Sequence, residues 1–453
     1  MEGLEIQEFN LASILKHENI RLEAEFYTSQ TELFSEYFLG KDIIKSCTYN
    51  SIYGMNAEGK GYPAIRMNEF DGLFTGKPTQ FAHNFLLEDF KKHQLKENDI
   101  LICRTNGNPN LVGKSALVMI DEPYVYESHL FKIQPKQEII NSHTLATYLN
   151  CKYGKQEIFR YSMQGNQSNF SLAKFKEMKI PKFSSALQKD IKILISSSFE
   201  KLQKSKEAYQ AAQDLLLEHL DLKDFNPPTQ TVNIKSFTDS FGTSGRLDAE
   251  FYQEKYDVLV QKLKAQEYDE LKNLVSVKKS IEPGSSAYDE QGLPFIRVSD
   301  YDKFQISSPA KYLSEAYCRE NHETLKNLLP KKGTILFSKD GTVGIAHLLS
   351  EDLSGITSGA ILHLKVKDKR VLPEYLTLVL NSFAVQMQAE RDVGGSIIQH
   401  WRVEEIKEVV IPIISMEIQT QIADLILQSD RLRQESQTLL EEAKRKVEQA
   451  IEG

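Results

Sequence analysis

The heptapeptide Arg21-Leu22-Glu23-Ala24-Glu25-Phe26-Tyr27 returns as Arg246-Leu247-Asp248-Ala249-Glu250-Phe251-Tyr252, with one Glu/Asp exchange, 225 positions later in a 453-residue chain. A chain that repeats itself at half its length is one unit used twice, so its fold must accommodate two similar bodies. Further matches agree. Tyr62-Pro63-Ala64-Ile65-Arg66 corresponds to Leu293-Pro294-Phe295-Ile296-Arg297 at an offset of 231. The run from Asp99 through Ile100-Leu101-Ile102-Cys103 to Gly107 corresponds to Gly333 through Ile335-Leu336-Phe337-Ser338 to Gly341, and Gly113 and Gly344 follow in the same loops. Each is a β-rich run that ends in a polar, Gly-containing turn. A second Gly-led polar loop (165–170 and 395–401) precedes Lys179-Ile180-Pro181 and Val410-Ile411-Pro412.

After those prolines both halves turn helical. Leu187, Ile191, Leu194, Ser198, Leu202, Ser205, Tyr209, Ala212 and Leu216 recur at spacings of mostly three and four, as do Ile418, Ile422, Leu425, Ser429, Leu432, Ser436, Leu439, Ala443 and Val447. Such heptad-like seams belong to long helices packed side by side, with small serines at matched positions for close approach. The expected fold is α+β: two tandem mixed α/β recognition domains, each followed by a long helix, the helices pairing as an antiparallel coiled-coil spacer with pseudo-two-fold symmetry. The expected layout is a first domain with an N-terminal helical segment over 1–185, a spacer helix over 186–222, a Pro/Ser/Thr/Gly-rich linker over 223–245, a second domain over 246–413 and a second helix over 414–453. At about 1.5 Å per residue such a helix spans roughly 50 Å. One turn of B-DNA spans roughly 35 Å, so a two-fold partner such as duplex DNA would be touched at two patches with an unread gap between them.

Composition narrows the class. Hydrophobic residues make up 41% and charged residues 26%, as in a soluble globular chain of two to four domains. Cys47, Cys103, Cys151 and Cys318 show no CxxC pair and no Cys/His ligand spacing, which reads as reduced thiols and neither a disulfide frame nor a zinc site. The acidic start MEGLEIQEFN lacks an apolar run, and the chain has no stretch of about 18 apolar residues. The expectation is a soluble cytoplasmic protein. The net charge of −8 excludes a strongly basic nucleic-acid binder, yet residues 41–190 carry 20 Lys/Arg against 15 Asp/Glu, and phosphate affinity follows local contacts.

Catalytic signatures are missing. Gly107-Asn-Pro-Asn-Leu-Val-Gly113-Lys114-Ser115 has five residues between its glycines where a phosphate-binding P-loop needs four, and its counterpart lacks the Lys-Ser. Asn226-Pro227-Pro228-Thr229 lacks the aromatic with which adenine methyltransferases hold a target base, and it falls in a linker. The ten histidines are scattered, and no nucleophile elbow or metal-ligand spacing appears. The chain reads as no enzyme and as binding no metal.

The polar loops carry residue types that read bases: Arg and Lys for guanine, Asn and Gln for adenine. Arg104, Asn106, Asn108 and Lys114 face Ser338, Lys339 and Asp340 in the first pair of loops. Asn166, Gln167 and Asn169 face Ser396, Gln399, His400 and Trp401 in the second. Arg66 and Arg297 complete the candidates. The glycine frames match while the polar residues differ, as two domains with one scaffold and two targets would. Solvated turns use the same residue types for backbone reasons.

Taken together, the Arg-Leu-Asp-Ala-Glu-Phe-Tyr opening, the Gly333–Gly344 strand and loop, and Gly394-Gly395-Ser396 running through Glu404-Glu405-Ile406 and Val410-Ile411-Pro412 into Met416-Glu417-Ile418-Gln419-Thr420-Gln421-Ile422 resemble the specificity subunit of type I restriction-modification systems. The first unit departs from the usual Pro-rich, Glu-Gln helix entry, having Pro181-Lys182-Phe183-Ser184-Ser185-Ala186-Leu187-Gln188. The resemblance implies a non-catalytic subunit that recognises a gapped bipartite site in double-stranded DNA. It implies DNA methyltransferase subunits and ATP-dependent restriction subunits as partners, with S-adenosylmethionine and ATP bound only by them. The specificity subunit of a related methylating nuclease, or a helical scaffold with degenerate recognition domains, would share these features.

Overall fold

The structure is a computed structural model that describes residues 34–50, 52, 54–83, 86–162, 168–228, 232–394 and 399–453. The first copy of the heptapeptide and the N-terminal helical segment lie outside them, as do Asn166, Gln167 and Ser396. The chain divides into two compact units, 1–203 with 432–453, and 204–431. The division falls inside both long helices, Ser185–His219 and Met416–Glu452.

In the first unit a six-stranded sheet is centred on Ile100–Cys103. That strand is flanked by Leu130–Pro135 and Ser115–Leu117, with Ile44–Tyr49 outside the former. All four residues of the central strand are buried, because an apolar run without alternation is covered on both faces. A second, four-stranded sheet pairs Tyr62–Ile65 in parallel with Val125–Tyr126 and antiparallel with Gln80–Ala82. The short strand Tyr37–Leu39 pairs with Lys179–Pro181, Tyr37 opposite Pro181.

The second unit repeats this plan with a shorter main sheet of four strands, its described residues lacking counterparts of the strands Phe70–Asp71 and Phe74–Thr75. Its main sheet has the order Val275–Lys279, Ile361–Val366, Thr334–Ser338, Ala346–Leu348. Leu293–Ile296 again has a parallel neighbour, Ile356–Thr357, and an antiparallel one, Tyr312–Leu313. Tyr268–Glu270 pairs with Val410–Pro412, Tyr268 opposite Pro412. Gly113 and Gly344 occupy the same turn with φ of +80° and +83°, where a side chain would be strained and would meet Ile158 or Gln386.

The helix entries match despite their different sequences. Ser184 Oγ accepts from Leu187 N at 3.3 Å and Ser415 Oγ from Ile418 N at 3.4 Å, each capping a helix start. Gln188 accepts from Asn141 N and donates to Ile139 O, while Gln419 accepts from Leu372 N and donates to Arg370 O. The missing Pro-rich entry in the first unit therefore changes nothing in how its helix is anchored. Within each unit the two long-helix segments run antiparallel. In the first, Ser198 Oγ lies 2.8 Å from Ser436 Oγ; in the second, Ser205 Oγ lies 3.0 Å from Ser429 Oγ. All four serines are buried. Among the described residues no helix is long and apolar enough to cross a membrane, and none of their acidic, His or Cys side chains cluster as a metal site.

Candidate nucleic-acid interface

Where the central strand of each main sheet runs out, the backbone makes the same three bonds. Arg104 N donates to His129 O at 2.7 Å, Cys103 N to Lys114 O at 2.9 Å, and Phe170 N to Arg104 O at 2.8 Å. In the second unit Lys339 N donates to Ala360 O, Ser338 N to Ile345 O, and Trp401 N to Lys339 O. This correspondence sets Arg104 against Lys339, Cys103 against Ser338, and Phe170 against Trp401. Both loops of each unit meet at one edge: Thr105–Asn106 pairs with Ser168–Asn169, and Asp340 bridges to His400.

The edge residues differ in chemistry. Arg104 has its guanidinium carbon 5.7 Å from the centre of the Tyr49 ring, and Tyr49 is itself held by Leu172 N donating to its hydroxyl at 2.6 Å. No carboxylate pairs with Arg104 among the described residues, and its buried Nε has no hydrogen-bond partner. Its fork is stacked in place and its outer donors stay unclaimed. Asn106 and Asn108 spend their side-chain carbonyls on Asn108 N and Asn110 N, shaping the turn. Asn169 Oδ1 is buried without a partner. In the second unit Lys339 is paired with Asp340, and Asp340 also bonds His400 Nδ1 at 2.9 Å. The lysine charge is spent inside the protein, and the carboxylate orients the imidazole, which is 61% exposed. Gln399 is exposed, and its backbone carbonyl accepts from Gly341 N.

Several sequence candidates fall elsewhere. Ser338 is fully buried, and its hydroxyl accepts from Ile345 N at 2.9 Å. Trp401 is 1% exposed and packs on Phe337. Neither side chain is exposed at the edge, because the main-sheet core closes over both. Arg66 and Arg297 each cap a short turn, bonded to Glu69 at 2.7 Å and to Asp300 at 3.2 Å; their forks are engaged three residues along the chain. Lys114 lines a cleft to which Arg104 does not contribute.

Sequence reasoning overlooked Tyr49, His129 and the amide pair Asn150 and Asn381. Asn150 bonds the backbone of Ser115 in both directions, and Asn381 does the same to Ala346. Their identical offset of 231 was the available signal. The heptapeptide also acquires a meaning. Arg246 binds Asp248 through two nitrogens, lies 4.5 Å over the Phe251 ring and donates to Asp392 O, while Tyr252 Oη donates to Arg246 O. In this described copy Arg246, Asp248, Phe251 and Tyr252 together make one clasp.

A profile of the type I restriction modification DNA specificity domain matches residues 38–208 and again 266–445. Among solved structures, the S subunit of a type I restriction-modification system from M. genitalium is similar at 11% identity and a TM-score of 0.40, over 92% of this chain and 94% of that one. The HsdS subunit from Thermoanaerobacter tengcongensis is similar at 12% identity and a TM-score of 0.30, over 92% and 96%. No curated protein matches the chain. The profile match takes in more than half of the sequence, once per unit, and with it the chain belongs to the type I restriction modification DNA specificity family and is a DNA sequence-specificity subunit.

Proposed function

We propose that the chain reads a gapped, two-part DNA sequence, one part at the Arg104 edge and the other at the His400 edge, and aims methyltransferase and restriction subunits at it. The observation that carries this is one loop frame built twice with different chemistry at its tip. A shared frame presents each edge to a groove in the same way, and different side chains there select different bases. Arg104 offers paired donors to the O6 and N7 acceptors of guanine. His400, held through Nδ1 and largely exposed, keeps Nε2 as the ring nitrogen left for a base. Asn106, Asn108, Asn169 and Gln399 surround these two as further contacts. The chain performs no chemistry itself, and the methyl donor and ATP are bound by its partners.

The test is single-molecule methylation mapping of DNA from cells that express the chain with its neighbouring methyltransferase. The expected result is a gapped two-part motif that disappears when this chain is omitted. An assembled, active methyltransferase with no such motif would make the chain a helical scaffold.

A further inference from the structure

The loop that follows Arg104 lines a cleft. A cavity of about 290 Å³ opens in the first unit between residues 110–114, Asn150 and the second long helix near Leu440. Lys114, Lys155 and Lys444 line it together with Asn110, Asn150 and Gln437, and no carboxylate does. Lys444 is paired with Glu441 at 2.8 Å. The ammonium groups of Lys114 and Lys155 have no ion-pair or hydrogen-bond partner among the described residues. Burial pushes the Lys114 ammonium below its ordinary value and the charge of Lys155 acts in the same direction, while Cys103 and the Asp71 carboxylate nearby act against it. An anion between them would relieve both costs.

The second unit supplies an internal control. There Tyr209, Lys303 and Asn381, the counterparts of Leu440, Gly72 and Asn150 at the 231 offset, line only a small pocket of about 30 Å³. Ile345 and Gln386 stand where the first unit has Lys114 and Lys155. Lys303 Nζ lies 4.7 Å from the Tyr209 ring centre, and the Phe304 ring packs edge-on against Tyr209 at 4.9 Å. The same frame is there plugged by its own cation and aromatics. In the first unit Gly72, at φ +65°, leaves the space open.

We propose that Lys114 and Lys155 hold a phosphate group in this cleft, either a DNA backbone phosphate flanking the half-site read by Arg104 or the phosphate of a free ligand. The first source rests on the DNA-reading function above. The site works through side chains, because the nearby amides are spent: Gly113 N donates to Cys103 O and Lys114 N to Leu111 O. It is therefore not a P-loop, although it uses the lysine of that near-motif.

The experiment uses the full chain as wild type, Lys114→Gln/Lys155→Gln and Lys303→Gln. Fluorescence anisotropy follows a labelled random-sequence duplex between 50 and 200 mM salt, roughly the range over which phosphate contacts dominate, and calorimetry follows inorganic pyrophosphate. A salt slope smaller by about one in the double variant, unchanged in Lys303→Gln, supports a DNA phosphate. An unchanged slope with loss of pyrophosphate binding in the double variant supports a free phosphate ligand. If the double variant matches wild type in both measurements, or Lys303→Gln lowers the slope equally, the proposal is overturned. Wild type that binds pyrophosphate through these lysines but no duplex would keep the cleft and overturn the DNA reading.

Discussion

Arg104 and His400 stand at the same edge of the two frames, one stacked on Tyr49 and the other braced by Asp340. Arg104→Gln removes a paired donor, and a good bidentate contact contributes about 1–3 kcal/mol of discrimination. Methylation mapping should show one relaxed base position in one half-site, with the other half untouched. His400→Gln should relax the opposite half. Relaxation of both halves by either change would contradict modular reading. Two histidines play a different part. Burial holds His143 and His363 neutral, with values lowered to about 4. The unfolded chain, with histidine near 6.5, then binds more protons below that pH, so the stability present above 6.5 is lost as pH falls toward 4. The loss is about 2 kcal/mol per histidine at pH 5. Asp99, Glu157 and Asp392, raised by burial, act in the opposite sense, so the measure is a difference between variants. His363→Gln keeps a partner for Thr357 Oγ1, now 2.7 Å from His363 Nε2. From pH 7 to 5 its urea midpoint should register about 2 kcal/mol less loss than wild type; an equal loss would refute the assignment.

At the scale of the element, the paired long helices are held by apolar seams and by two serine–serine contacts, of which Ser205 with Ser429 also exchanges reciprocal bonds to backbone carbonyls. A buried hydroxyl left without its partner costs about 1 kcal/mol or more, whereas removing both members costs less than twice that. Ser198→Ala and Ser436→Ala should each destabilise the chain by about 1 kcal/mol, with a coupling of about 1 kcal/mol in the double variant by chemical denaturation. Strict additivity would mean the contact is incidental. The serines themselves were legible as small residues in an apolar seam. Alignment of the repeats set Ser198 beside Ser429, whereas the antiparallel helices bond Ser198 to Ser436 and Ser205 to Ser429. Equivalence by repeat and contact in space are different relations, and in an antiparallel pair they run in opposite directions.

On the whole-molecule scale, the duplication makes the two edges proposed to read DNA separate problems. Effects at sites with no shared partners add, so Arg104→Gln with His400→Gln should give a motif relaxed in both halves, its methylation rate the product of the two single effects. A markedly larger or smaller combined effect in quantitative methylation assays would point to coupling between the half-sites. The sequence by itself determined that one unit is used twice, that each ends in a long seamed helix, and which loops carry the variable chemistry. Those features are local, written in periodicity, turn residues and offsets. Only the tertiary structure decided which loop residues face outward. Ser338 and Trp401 are polar or amphipathic types in polar loops, yet the packed sheet closes over them, and Lys339 gives its charge to Asp340. Arg104 stays available because the aromatic beneath it comes from Tyr49, on a strand more than fifty positions away in the chain. Burial and ion pairing depend on neighbours brought together by packing, and a spacing rule along one chain does not encode them.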